Sequence, residues 1–304
     1  MSSPRSPRLR VSVVKSSCLF FFLFVELVLA SAAWAAGDAQ RGQVVFAMAG
    51  GCGCHTGKDG PVGAGGDEIK TPFGSFYGSN ITPDPETGIG RWTDDEIIAA
   101  IRSGGAGGGI EAPVMPYYLY AGMSDRDVQD LVAYLRTLAP VRRENRAADV
   151  HVPFPRLAYR AWRLLFASRV DPPAEAPVDP VEQGRYLANH VAICTDCHTP
   201  RTRFGAPDTN LYLAGVDKGP SGDAVPNITP DADTGLGSWT ENDIVQLLHT
   251  GMKPNMDNVQ GLMAAVIDGV GGGPGYAQAP ESELRSIAKY LKTVPPVRHK
   301  VSGD

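Results

Sequence analysis

Cys194-Thr195-Asp196-Cys197-His198 decides the fold of this chain. Two thiols three positions apart, with an imidazole directly after the second, make the pattern C-x-x-C-H that attaches a c-type haem. Each thiol adds to one vinyl group of the porphyrin, and the adjacent imidazole is held against the iron as an axial ligand. The competing readings are a zinc half-site and a redox C-x-x-C, and either leaves the histidine without a task. Zinc also needs a second ligand pair. The stretch therefore nominates Cys194 and Cys197 for attachment and His198 for the iron.

A shortened copy lies upstream at Cys52-Gly53-Cys54-His55. Gly42 to Cys52 spans 10 residues, as does Gly184 to Cys194, whereas Gly42 to His55 spans 13 against 14 for Gly184 to His198. The missing residue falls between the two cysteines, and Cys52 stands where Cys194 stands. Cys54 and His55 keep their spacing and are expected to bind as Cys197 and His198 do. Cys52 leaves two alternatives, a strained double attachment or a singly attached haem with a free thiol. A metal site unrelated to haem is the plainer reading of this copy.

The likeness extends well past the cysteines. Asn80-Ile81-Thr82-Pro83-Asp84 recurs as Asn227-Ile228-Thr229-Pro230-Asp231, and Trp92-Thr93 as Trp239-Thr240, always 147 residues on. A helix is predicted after each, because Thr93 with Glu96 and Thr240 with Asp243 form capping boxes ahead of apolar runs. Each copy closes on an amphipathic helix: Val128, Leu131, Val132, Leu135 in the first and Leu284, Ile287, Ala288, Leu291 in the second. Helices are also expected from about Asp38 and about Asp179. No strand pattern of any length shows. The expected fold is all-α, with two tandem haem-binding domains at 36–142 and 179–304. Residues 143–178, rich in Pro, Arg and Ala, form an ordered linker in this reading. Within it Phe154-Pro155 and Arg160–Phe166 suggest a short helix that packs on a domain, with a membrane-surface helix as the alternative.

Residues 1–35 read as a signal peptide. A basic stretch with Arg5, Arg8, Arg10 and Lys15 precedes an apolar run from Leu19 to Leu29, and Ala33-Trp34-Ala35 offers the cleavage site. A retained anchor competes with this, against which stand the shortness of the run and Glu26 within it. Export suits thioether attachment, and the expected location is the periplasm, with possible association with the outer face of the inner membrane. Of five cysteines, Cys18 lies in this leader and the other four in the two motifs. Nothing is left for a disulfide framework. Without the leader, 24 Lys and Arg face 32 Asp and Glu, a net charge of −8. That balance argues against nucleic acid or anionic lipid as a partner and favours a redox protein with a basic docking patch.

Methionine as the second axial ligand raises a haem's reduction potential, although methionine is more often core filler. Position decides. Trp92 to Met115 is 23 residues and Trp239 to Met263 is 24, both between the middle and closing helices. Met115 lies between Pro113 and Pro116, which keep the chain extended. Met252 and Met256 rival Met263. Met48 and Met123 are assigned to packing, and His190 and His249 to core or surface.

With these residues in place the chain resembles the di-haem and multi-haem cytochrome c subunits of bacterial periplasmic alcohol, gluconate and aldehyde dehydrogenases. Asn80–Asp84 with Thr87-Gly88-Ile89-Gly90-Arg91-Trp92, Met115-Pro116-Tyr117 and Cys197-His198-Thr199-Pro200-Arg201 carry the likeness. It departs in having two haem motifs where many such subunits have three, and in the shortened first motif. The resemblance implies two covalently bound haem c groups, Met115 and Met263 as axial ligands, and electron transfer from a partner dehydrogenase to a quinone, cytochrome or oxidase. In that reading the chain transfers electrons with no bond chemistry of its own. The alternative is a di-haem enzyme, of peroxidase or thiosulfate-oxidising type, with one open iron. A haem sensor is disfavoured, since no signalling domain accompanies the repeats.

Overall fold

The computed structural model describes residues 37–105, 114–167, 170–220 and 222–302; the leader lies outside these residues. Gly37–Asp304 make one compact unit. In the first repeat Asp38 starts α1 (Ala39–Met48), its carboxylate accepting from the backbone N–H groups of Gln40 and Arg41. Those donors have no partner within the helix, so the cap satisfies them. A 3-10 stretch, Gly50–His55, carries the first haem motif. Then come α2 (Asp94–Ser103), opened by the Thr93/Glu96 capping box, the short α3 (Tyr117–Tyr120), and α4 (Asp125–Leu135). Between the repeats runs α5 (Pro155–Phe166).

The second repeat follows the same order. Asp179 caps α6 (Pro180–Tyr186), which runs into a π-helical turn at Leu187–Val191. α7 (Cys194–His198) is the second motif. The Thr240/Asp243 box opens α8 (Glu241–Thr250), and α9 (Gly261–Asp268) and α10 (Glu281–Leu291) complete the repeat.

α1 packs on α4, and α6 on α10, each crossing made at a glycine. A Cβ on Gly42 would lie 1.8 Å from the Asp130 carbonyl oxygen, and one on Gly184 1.8 Å from that of Ser286. Only glycine lets the backbones approach so closely. Around these crossings Phe46, Leu131, Ile244, Leu284 and Ile287 belong to one continuous apolar cluster drawn from both repeats. Met48 and Met123 are buried in it, as their sequence positions suggested. Tyr186 joins the repeats: its hydroxyl donates to Asp127 Oδ2 at 2.6 Å and accepts from the Ser124 N–H at 2.9 Å.

The all-α expectation needs correction. β1 (Glu68–Thr71), β2 (Gly74–Tyr77) and β3 (Asp149–Val150) form a small antiparallel sheet, with Ile69 opposite Phe76 and Gly74 opposite Val150. Strands of two to four residues are too short for alternation to stand out in a sequence. The third strand comes from the segment expected to be linker. That segment is tied to the first repeat, with Asn145 accepting from the Asn80 N–H at 2.7 Å and donating to the Thr87 carbonyl at 3.0 Å.

Candidate haem centres

The two motifs reach similar ends by different backbone paths. In the second repeat Ile193 takes a left-handed conformation (φ 44°), and one helical turn then carries Cys194 to His198. Residues three apart on a helix share a face, so Cys194 and Cys197 stand side by side. Thiols two apart do not share a helix face, and the first motif is accordingly not helical at that point. Gly50, Gly51 and Cys52 are all left-handed (φ 64°, 63° and 46°) before the chain tightens toward His55. Two glycines make the detour easy, while at Cys52 it costs about 1–2 kcal/mol. Cys52 and Cys194 both end half-buried against the apolar core. The missing residue is thus absorbed by the backbone.

Neither motif holds a disulfide; all four thiols are free. Burial pushes the Cys52, Cys194 and Cys197 thiols up to about 12. A thiol–disulfide exchange site works by lowering a thiol toward neutrality. These thiols go the other way, which disfavours the redox C-x-x-C reading. Among the described residues no three His, Cys, Asp or Glu side chains gather as they would around a zinc ion.

Each motif histidine is oriented by a backbone carbonyl. His55 Nδ1 lies 2.8 Å from the Ser79 carbonyl oxygen, and His198 Nδ1 lies 2.9 Å from that of Pro226. A carbonyl can only accept, so Nδ1 carries the proton and Nε2 keeps its lone pair. Burial lowers the pKa of both rings, outweighing the opposing effect of the carbonyl bond, and so favours the neutral, metal-binding form.

The repeated Asn-Ile-Thr-Pro-Asp segment positions those carbonyls, which directly precede Asn80 and Asn227. Asn80 donates to Thr87 Oγ1 (3.1 Å) and to the Val141 carbonyl (2.7 Å); Asn227 donates to Thr234 Oγ1 (3.0 Å) and to the Val297 carbonyl (2.8 Å). Each Asn oxygen accepts from the threonine two residues on. Asp84 and Asp231 close turns onto Thr87 and Thr234, whose N–H and hydroxyl bonds hold both carboxyls below the usual range. The sequence marked this segment as a repeat and family motif. Its role as the frame behind the histidine became visible only through these bonds.

Met115 is half-buried just before α3, and Met263 half-buried on the first turn of α9, packed on the core. Of the rivals, Met256 is 76% exposed on an outer turn and Met252 half-buried beside it. His190 holds the Leu119 carbonyl through Nδ1 at 2.8 Å. Trp92 and Trp239 are half-buried on the core. Sequence reasoning missed the cluster around Asp196. Arg201 pairs with that carboxylate and donates to the Tyr118 hydroxyl at 2.7 Å. The Tyr117 hydroxyl and Thr195 Oγ1 are buried without a protein partner. Soft thiols beside a neutral imidazole with a free Nε2, with the unpaired Thr195 hydroxyl inside the second motif, fit haem c.

Residues 39–139 match the cytochrome c family, a span that includes the shortened motif. Over 270 residues the chain is 37% identical to a "diheme cytochrome c-type" protein of Cereibacter sphaeroides, covering 86% of this chain and 87% of that one. It is 36% identical to the cytochrome c subunit of the quinone alcohol dehydrogenase of Gluconobacter oxydans, covering 85% of this chain and 55% of that subunit. It is 35% identical to the fructose dehydrogenase cytochrome subunit of Gluconobacter japonicus, covering 84% of this chain and 52% of that subunit. The chain thus spans about half the length of these dehydrogenase subunits. Built from two cytochrome-like repeats and matched along most of its length by a di-haem relative, the chain belongs to the di-haem c-type cytochromes, with haem c as cofactor and electron transfer as activity.

Proposed function

We propose that this chain is a periplasmic di-haem electron carrier, taking single electrons from a partner dehydrogenase and delivering them to a respiratory-chain acceptor. Cys52, Cys54 and His55 with Met115 would hold one haem, and Cys194, Cys197 and His198 with Met263 the other. The observation that carries the reading is the matched pair of histidines, each fixed by a carbonyl at 2.8–2.9 Å beside two free thiols. Bound there, each haem supplies a one-electron iron couple.

The chain's own part is to set that couple. The carbonyl bond to Nδ1 orients the ring and makes it a stronger donor. The thioether of Met115 or Met263 would raise the potential, and the apolar core limits water. The dehydrogenase partner is suggested by the two Gluconobacter relatives, which are subunits of such enzymes. A periplasmic site agrees with the leader read at residues 1–35. Peripheral contact with the membrane is supported by α5. One side of α5 stacks on the protein through Trp162 and Phe166, while Phe154, Leu157, Leu164 and Leu165 are 68–86% exposed. Arg156, Arg160, Arg163 and Arg169 lie in residues 150–170 with no Asp or Glu among them. An apolar helix face flanked by arginine suits an anionic lipid surface. No helix among the described residues is long and apolar enough to cross a membrane.

Spectroelectrochemical titration of the purified holoprotein tests the carrier reading. Two reversible one-electron waves at separate potentials are expected, with haem content of two per chain. A single wave and one haem per chain would refute it.

A further inference from the structure

The segments that follow the two proposed methionine ligands do not brace their own repeat's haem motif alone; each lies on the motif of the other repeat. After Met115 the chain enters α3. Tyr118, 8% exposed, accepts a hydrogen bond from Arg201 at 2.7 Å, and Arg201 in turn pairs with Asp196, between the cysteines of the second motif. The neighbouring Leu119 carbonyl is held by His190 of the second repeat. From α5, Trp162 meets the Tyr118 ring edge-on at 5.5 Å. The arrangement is reciprocal. After Met263, Val266 faces Gly50, Val270 lies against Gly53 between Cys52 and Cys54, and the Pro274 carbonyl meets Gly51.

From this exchange we propose that Arg201 is a positioning residue for the sixth ligand of the first haem, although it belongs to the second repeat. The proposal rests on Met115 being that ligand. The guanidinium is a planar fork whose donors are fixed relative to one another. One prong is anchored on the half-buried carboxylate of Asp196 and another on the Tyr118 hydroxyl, three residues after Met115. The second motif thereby holds the end of the first haem's ligand segment. Without that hold, α3 keeps its ring contacts but loses its polar anchor to the second repeat, and Met115 is less firmly kept over the iron. The two centres are mechanically linked, and ligation at the first depends on the integrity of the second.

The experiment uses the full holoprotein and four variants: Arg201→Leu, Arg201→Lys, Tyr118→Phe and Met115→Ala. Met115→Ala identifies the first haem by the spectrum it changes. Carbon monoxide binding and potential are then read at each haem in the reduced protein. Arg201→Leu is expected to open that same haem to carbon monoxide and to lower its potential, leaving the second haem closed. Arg201→Lys keeps the charge but not the fork and should lie between. Tyr118→Phe changes no charge and keeps the ring, so it should give the same opening in weaker form and decides the matter if Arg201→Leu does not fold. Effects confined to the second haem, or a first haem that stays closed in both Arg201→Leu and Tyr118→Phe, would overturn the proposal. If Met115→Ala changes neither spectrum, the ligand assignment falls and takes the proposal with it, which separates that failure from a failure of the tether alone.

Discussion

The Nδ1 nitrogen of His198 donates to the carbonyl oxygen of Pro226 across 2.9 Å. Everything that holds that carbonyl also sets the direction of the Nε2 lone pair. Asn227, the next residue, is anchored to the Val297 carbonyl beyond the closing helix, and to Thr234. The ring is therefore referenced to the end of its own repeat, and His55 is referenced in the same way through Asn80 and Val141.

Asn227→Ala should loosen this frame. It removes the acceptor of the buried Thr229 N–H and hydroxyl and the donor to the Val297 carbonyl, and a buried group left unsatisfied costs about 1–3 kcal/mol. Denaturant unfolding should show a loss within or above that range, and the second haem's potential should shift while the first stays put. A potential unchanged at both haems would separate the frame from the iron.

Gly184→Ala should be poorly tolerated. Its methyl group would lie 1.8 Å from the Ser286 carbonyl and 2.8 Å from Tyr290 Cβ, both within the α6–α10 crossing. Overpacking of this kind costs about 1–3 kcal/mol or more. The melting temperature should fall by several degrees. An unaffected melt would mean the helices separate without penalty.

All four thiols should be consumed by attachment. Cys52 shares its place against the core with Cys194 despite the shortened spacing. The denatured holoprotein is therefore expected to take up no alkylating reagent, and Cys52→Ala to lose one thioether and keep both haems. One alkylated cysteine per mature chain would show the first haem singly attached.

Asp84 and Asp231 should contribute to acid stability. Bonds from Thr87 and Thr234 depress both carboxyls below the unfolded value. A depressed acid stabilises the fold above its unfolded pKa, about 3.9, and that contribution is lost as pH falls through the folded value. Melting temperatures of a double Asp→Ala variant should lie below wild type at neutral pH and converge with it toward pH 2. A constant gap at all pH values would mean the charges are not responsible.

Replacing Leu164 and Leu165 by Glu should abolish binding to vesicles of phosphatidylglycerol without affecting folding, because both side chains are exposed. Phosphatidylcholine vesicles should bind wild type more weakly, as the arginines of this segment would have no anionic partner. Equal binding of wild type and variant would remove α5 from the membrane contact.

Much of the site was legible because its chemistry is local. Attachment needs thiols at short spacing beside a histidine, and the capping boxes at Thr93 and Thr240 are read from four consecutive residues. What stayed hidden depends on distant partners. The sheet pairs Gly74 with Val150, 76 residues on in sequence, and the tether joins Tyr118 to Arg201 over 83 residues. No periodicity within either segment signals such pairings.

The central claim is that both irons are closed by methionine and that the protein is a carrier. The optical spectrum of the reduced holoprotein, taken before and after carbon monoxide, tests it most directly. An unchanged spectrum at both haems is the expected result. Ready binding at either haem of the wild-type protein would contradict it and point to an enzyme with an open iron.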